Sequence, residues 1–297
     1  MNALDDLETK LDVGAQFSRA DVERVLACTD LISVGTLGEK ARKAKHGNRV
    51  TFGRVCEWTP ETPATAIGEA GELRIVTVPT SAAHARSIVQ AAARVASGAV
   101  LTGFSLGDLV DLVSGDHMAL HDLALHLKQD GLHAVAEAPI DRLGDTENAA
   151  EIVRAVTHAG LGAWRATLER ALPADRLDLI ERAASVARDT GAIRAFAPLP
   201  RHDQRESPST GYDDVRTVAV ARLLCTDIPS IQVDWPLYGP KLAQVAIAYG
   251  ADDVDGIAAT DESPMGARRA PKVEIERHIR AAFAEPAERN GRYEPRA

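Results

Sequence analysis

At 297 residues, 45% apolar and 26% charged, the chain is long enough to bury a full core and is ordinary for a globular protein. A net charge of −9 lacks the footprint of a nucleic-acid binder, and no apolar run reaches bilayer-spanning length. The acidic start MNALDDLETKLD carries no basic-then-apolar leader, and three widely spaced cysteines (Cys28, Cys56, Cys225) are expected as free thiols in the cytoplasm.

Residues 3–46 read as two short helices. Ser18 followed three positions later by Asp21 resembles a capping box, and Val22, Val25 and Leu26 then follow helical spacing. Leu31, Val34, Leu37 and Ala41 form the inward stripe of the next helix. Short β-rich runs follow at 50–58, 73–79, 99–105, 133–139, 163–168, 192–199, 230–237 and 253–257. Helical patterns fill 81–97, 106–130, 146–160, 174–190, 212–226, 240–249 and 271–284. Eight strands alternating with helices predict a parallel sheet closed as a TIM-type (β/α)8 barrel, and such barrels commonly run to about 250 residues. The domain reading is a helical extension, 1–46, packed on one α/β barrel, 47–297. With aromatics at only 4%, its core must rest on Ala, Val, Leu and Ile, which suits buried parallel strands. The linker TPETPATAIGEAGE (59–72) is too short and too rich in Pro and Gly for a crossover helix. The first βα crossover is therefore read as reduced, with the barrel open at that edge and disposed to self-association. The tail, 290–297, is read as frayed or lying on the surface.

Two stretches carry a resemblance. His46-Gly47-Asn48-Arg49-Val50-Thr51-Phe52 and the run TGYDDVRTVAVARLLCTDIPSIQVDWPLYGPKLAQVAIAYGADDVDG (210–256) resemble the radical SAM enzymes of the futalosine route to menaquinone, above all aminofutalosine synthase. Cyclic dehypoxanthine futalosine synthase and FO synthase are related to that family. The segment Phe196-Ala197-Pro198-Leu199 with His202, and Pro286-Ala287-Glu288-Arg289-Asn290, are similar to its FIPLxFH and PVERD patterns. The resemblance implies a radical SAM-like barrel. In the family, the HGNRVTF-like strand leads into a CxxxCxxC loop whose three thiolates hold a [4Fe–4S] cluster. The fourth iron takes S-adenosylmethionine, and reductive cleavage yields a 5′-deoxyadenosyl radical. Here the strand leads into Gly53-Arg54-Val55-Cys56-Glu57-Trp58-Thr59-Pro60, and Cys56 falls too early to match the first cluster ligand. HAVAEAPID (133–141) stands where the family has a glycine-rich segment contacting S-adenosylmethionine. Both cofactors are thus expected to be lost, and no metal site is expected.

Ligands of such barrels bind at the C-terminal ends of the strands, and that rule selects candidates. Arg54 and Trp58 end the first strand, where a guanidinium could hold a carboxylate and an indole could stack on a ring; the alternative is that Trp58 plugs the space left by the loop, with Arg54 and Glu57 paired beside it. Glu57, Glu137, Asp141 and His202 are the candidate acid–base groups, with Asp141 alternatively bound to backbone amides. Arg201, Gln232, Asp234 and Trp235 are further ligand-binding candidates: Gln232 and Asp234 share one face of their strand and Trp235 takes the other, so either a polar or an apolar floor is possible. Asp252, Asp253 and Asp255 border the last strand, as a cation cluster or as helix braces. P-loop, Rossmann, HExxH and GxSxG patterns are missing from the sequence. Three functions stay open. One is a non-radical protein of futalosine-type metabolism that binds a small molecule or supports a family enzyme. Another is an acid–base lyase, isomerase or hydrolase acting on an aromatic carboxylate or nucleoside. The last is the family reaction with cluster ligands from a partner. A homo-oligomer is a further possibility; nucleic acid and membrane are not expected partners.

Overall fold

The computed structural model describes residues 3–201, 209–260 and 271–296. Three helices precede the barrel where the sequence suggests two: α1 (Asp5–Asp12), α2 (Arg19–Ala27) and α3 (Leu31–His46). Ser18 and Asp21 form the expected capping box, each side chain bonded to the other's backbone N–H, so the start of α2 is fixed locally. Asp30 caps α3 through the amides of Ile32 and Ser33. Val34, Leu37 and Ala41 are buried, as their spacing predicts. They share one apolar cluster with Leu4, Leu7, Val22 and Val25 from the other two helices and with Val218, Ala219 and Ile247 from the barrel. The three helices therefore complete the barrel's outer core on one side.

The strands are β1 (Arg49–Trp58), β2 (Glu72–Ile75), β3 (Val100–Ser105), β4 (Ala134–Pro139), β5 (Arg165–Leu168), β6 (Ala195–Pro200), β7 (Ser230–Asp234), β8 (Asp253–Ala258) and β9 (Glu285–Arg289). All pair in parallel in the order β2-β3-β4-β5-β6-β7-β8-β1, and β1 also pairs with β2, so the barrel closes. The helices between them are α4 (Ala82–Val95), α5 (Leu106–Leu112), α6 (His117–Gln129), α7 (Thr146–His158), α8 (Arg176–Thr190), α9 (Gly211–Leu224), α10 (Trp235–Ile247) and α11 (Lys272–Ala281). The continuous helix expected over 106–130 is split by Ser114 and Gly115, both at positive φ.

The first crossover is reduced, as its composition implies: only a 3-10 turn, Ala64–Ala66, lies between β1 and β2. The expectation of an open edge is corrected. Val55 to Trp58 pair with Glu72 to Ile75 along the upper half of β1. Arg49 to Gly53, the lower half of the same edge, pair with β9. Over the outside, Trp58 packs in one buried cluster with Ile67 and Ala70 from the linker and with Leu73 and Ile75 from β2. A large apolar surface and a row of backbone polar groups are thereby covered without a helix. The tail is not a free surface segment either. Asn290 N–H donates to Glu294 O at 2.9 Å, Gly291 N–H donates to Gly71 O at 3.1 Å, and the chain turns under the barrel.

No helix among the described residues is long and apolar enough to cross a membrane.

Candidate functional site

Most of the apolar side chains lie between strands and helices, which leaves the barrel interior polar. Alternation along a strand puts residues i and i+2 on one face. On the inner face this gives Glu72 and Arg74, Arg165 and Thr167, Gln232 and Asp234, and Asp253 and Asp255, all buried. Asp255 is the hub. Its carboxylate accepts from Arg74 at 2.8 and 3.2 Å, from Arg165 at 2.6 Å and from Arg289 at 3.0 Å. Burial alone would raise its pKa, but the Arg74, Arg165 and Arg289 guanidiniums outweigh that and hold the carboxyl well below the usual range. A bulge sets the hub's position: pairing of β1 with β8 shifts just past Phe52, and Gly256 takes φ 79° there. A Cβ at Gly256 would lie 2.6 Å from Pro236 Cδ.

The floor is built by β9 and the tail. Arg289 donates to Asp253 at 2.6 and 2.7 Å, and its guanidinium lies 4.1 Å from the Tyr293 ring centroid. Gly53 makes room, since a Cβ there would sit 2.7 Å from Arg289 Nη1. Thr51 Oγ1 donates to Asp253 at 2.5 Å, and Gln232 Nε2 donates to Asp253 at 2.6 Å and contacts Tyr293 Oη at 3.2 Å. Gln232, expected at the pocket, therefore belongs to the floor.

At the mouth, Arg201 follows β6 and is anchored by its own N–H to Leu168 O at 2.9 Å. Its guanidinium bridges Glu137 (Nε to Oε2, 2.9 Å) and Asp234 (Nη1 to Oδ2, 2.8 Å). Arg165 approaches the same carboxylates from below, at 3.8 and 3.7 Å. Side-chain exposure is 21% for Arg201 and 23% for Glu137 but 4% for Arg165 and Asp234, so solvent reaches the upper pair only. Burial lowers the Arg201 pKa and the carboxylates of Asp234 and Glu137 raise it further, so the guanidinium stays charged. Arg165 Nε and Thr167 Oγ1 lie buried on this inner face with no hydrogen-bond partner. The acceptor Gln232 Oε1 on the same face is also unpartnered; buried polar groups are almost always paired, so these atoms call for partners that the described side chains do not supply.

The structure thus brings together Glu137, Arg201 and Asp234 and separates the other candidates. Arg54 points outward, paired with Glu69 and Glu288 and not with Glu57. Trp58 also faces outward into the apolar cluster. Both are one position out of phase with Gly53, which faces the lumen. Glu57, in phase with Gly53, ends the inner face of β1 and is exposed. Trp235 is buried in the outer core, edge-on to His278 with centroids 5.2 Å apart. Asp141 accepts from the amides of Glu169 and Arg170 at 2.8 and 2.6 Å, which braces the loop after β5. His202 lies outside the described residues. Asp252 is bound by Arg222 and lies 3.4 Å from His46. With Asp253 and Asp255 also on arginines, the three aspartates form no common cation site; among the described residues no cluster of His, Cys, Asp or Glu could hold a metal ion. Sequence reasoning missed Arg74, Arg165 and Arg289. Their signal was a lone arginine within an otherwise apolar or alternating strand.

Residues 197–297 match the model of the CofH/MqnC C-terminal region. Aminodeoxyfutalosine synthase of Streptomyces coelicolor is 32% identical over 143 residues, 41% of this chain and 37% of that protein. Cyclic dehypoxanthine futalosine synthase of the same organism is 31% identical over 129 residues, 41% of this chain and 32% of that one. Over about two fifths of its length the chain is therefore similar to enzymes named for futalosine chemistry. The matches span about a third of those relatives' own length. Among solved structures, methylornithine synthase (PylB) superposes with a TM-score of 0.64 at 14% identity, over 95% of this chain and 97% of that one, which extends the barrel likeness to the whole fold.

The radical SAM cluster needs three thiolates gathered at the top of β1. Beyond Trp58 the chain makes a turn, Thr62 N–H to Thr59 O at 2.9 Å, with no cysteine in it. Cys56 is buried on the outer face of β1 beside Trp58. Cys28 caps the end of α2, and Cys225 is buried past α9, its thiol pushed up to about 12 by burial. These three sulfurs do not fit the cluster of the radical SAM relatives.

Proposed function

We propose that this barrel is a non-radical ligand-binding protein of futalosine-type metabolism, which takes a small polar molecule at its mouth. Arg201 would meet the ligand first, and Arg165 Nε and Thr167 Oγ1 would donate to it from below. The observation that carries this reading is that pair of buried, unpartnered donors beneath a solvent-reached ion pair. The distribution of the cysteines supports the absence of radical chemistry in this chain. An acid–base enzyme is the weaker reading, because Asp141 is committed to two amides and Glu137 to Arg201.

The test is calorimetry and thermal shift with S-adenosylmethionine, a futalosine-type nucleoside and a chorismate-derived benzoate. At a ligand concentration of 100 Kd, binding to the native state adds about 2.7 kcal/mol of stability. Arg201→Met is expected to weaken the binder about ten- to hundred-fold, the range of a lost charged hydrogen bond. A panel without any binder, or a variant that binds as well as the parent, would refute the reading.

A further inference from the structure

A second feature lies at the opposite end of the barrel. Trp164 directly precedes β5 and Arg194 directly precedes β6, and Trp164 O accepts from Arg194 N–H at 2.7 Å. The Arg194 guanidinium lies 5.1 Å from the indole centroid. Arg292, brought under the barrel by the tail, lies 5.4 Å from the same ring. The two arginines are tied together by Arg194 Nη1 to Arg292 O at 2.6 Å. His133, before β4, accepts Leu101 N–H on Nδ1 at 3.0 Å, so its Nε2 carries the proton and is a donor. Burial, and after it Arg292 and Lys128, lower the His133 pKa, so the field at that ring is positive.

Among the described residues no carboxylate lies within ion-pair reach of Arg194, Arg292 or Lys128. Four of the six other half-buried arginines have such a partner, as Arg142 has in Asp108, Asp111 and Glu169, while Arg154 and Arg182 bond to backbone carbonyls. Two like charges on one ring repel each other, and an anion bound between them would remove that cost. A pocket of 360 Å³, whose walls include Thr157, Trp164, Thr190 and Arg194, opens beside Arg194. Both guanidiniums lie within cation–π range of the indole, and the planar N–H fork of an arginine suits an oxyanion.

The geometry points to a phosphate-binding site at the foot of the barrel, formed by Arg194 and Arg292 over Trp164 and distinct from the mouth. The occupant is a free phosphate ion or the phosphate of a small monoester.

Calorimetric titration with inorganic phosphate and with ribose 5-phosphate, at constant ionic strength, tests this. Trp58 and Trp235 are buried while Trp164 is half-buried, so Trp164 emission gives a second readout. Saturable binding is expected, about ten-fold or more weaker in Arg194→Gln and in Arg292→Gln, the second of which keeps the backbone oxygen that Arg194 holds. Arg201→Met, at the mouth, should bind as the parent does. Tighter binding of the ester identifies an esterified phosphate, and equal binding identifies the free ion. No saturable binding of either, or binding unchanged in both Arg194→Gln and Arg292→Gln, overturns the proposal.

Discussion

Asp255→Ala is expected to destabilise the protein by about 3–5 kcal/mol, the usual cost of removing one partner from a buried ion pair. The total stability of a domain is only about 5–15 kcal/mol, so this is a large share of it. For a chain of this size each kcal/mol moves the melting temperature by roughly 2–4 °C, which puts the expected drop near ten degrees. The cause is that Arg74, Arg165 and Arg289 would all lose an acceptor in a space closed to water. Asp12→Ala is the contrast. Its 2.7 Å pair with Lys40 lies at the surface, and such pairs are worth at most about 1 kcal/mol. The pH dependence has a definite sign. The folded-state pKa of Asp255 is depressed, so its contribution is fully present above the unfolded value of about 3.9 and is lost as the pH falls toward the folded value. Melting curves of the parent should therefore weaken in acid below about pH 4–5, and those of Asp255→Ala should weaken less. Equal melting temperatures for parent and variant at neutral pH would show that the hub does not hold the lumen together.

Ending the chain at Phe283 is expected to abolish cooperative unfolding. The truncation removes β9, so Arg49 to Gly53 of β1 lose their partner on that edge and keep only β8 on the other. It removes Arg289, so Asp253 is left buried with only Thr51 and Gln232 as donors. It removes Tyr293, so the floor opens to water. An uncompensated buried carboxylate and an uncovered lower strand edge each favour collapse into a loosely packed state. Near-UV circular dichroism and a calorimetric melt would read it. A sharp melt with native near-UV signal would show that the tail is an accessory to the fold.

The sequence made the barrel legible because strand and helix periods alternate cleanly from Val50 onward, and eight such units have few ways to close. The capping box at Ser18 and the stripe Val34, Leu37, Ala41 were readable for the same local reason. The closed first edge was not. Its cover comes from Ile67 and Ala70 in a Pro- and Gly-rich linker, and its lower half from residues 285–289, more than two hundred positions away. A strand read as the family's closing motif gave no hint that it would sit beside β1. The mouth was half legible. Arg201, Glu137 and Asp234 were found because they end strands. Arg54 and Trp58 on β1 and Trp235 just past β7 were chosen by the same rule, and what excludes them is phase: one residue along a strand turns a side chain from the lumen to the helices. Arg165, whose strand carries no other charge, is the residue the periodicity should have flagged, since a lone cation in a buried strand needs an inward partner.

The most direct test of the central claim is anaerobic reconstitution of the full chain with iron and sulfide, followed by metal analysis, visible absorption and electron paramagnetic resonance after reduction. The account predicts a colourless protein, with iron well below one cluster per chain and no reduced-cluster signal. A brown protein carrying a full complement of iron and sulfide, with a signal altered by S-adenosylmethionine, would contradict it.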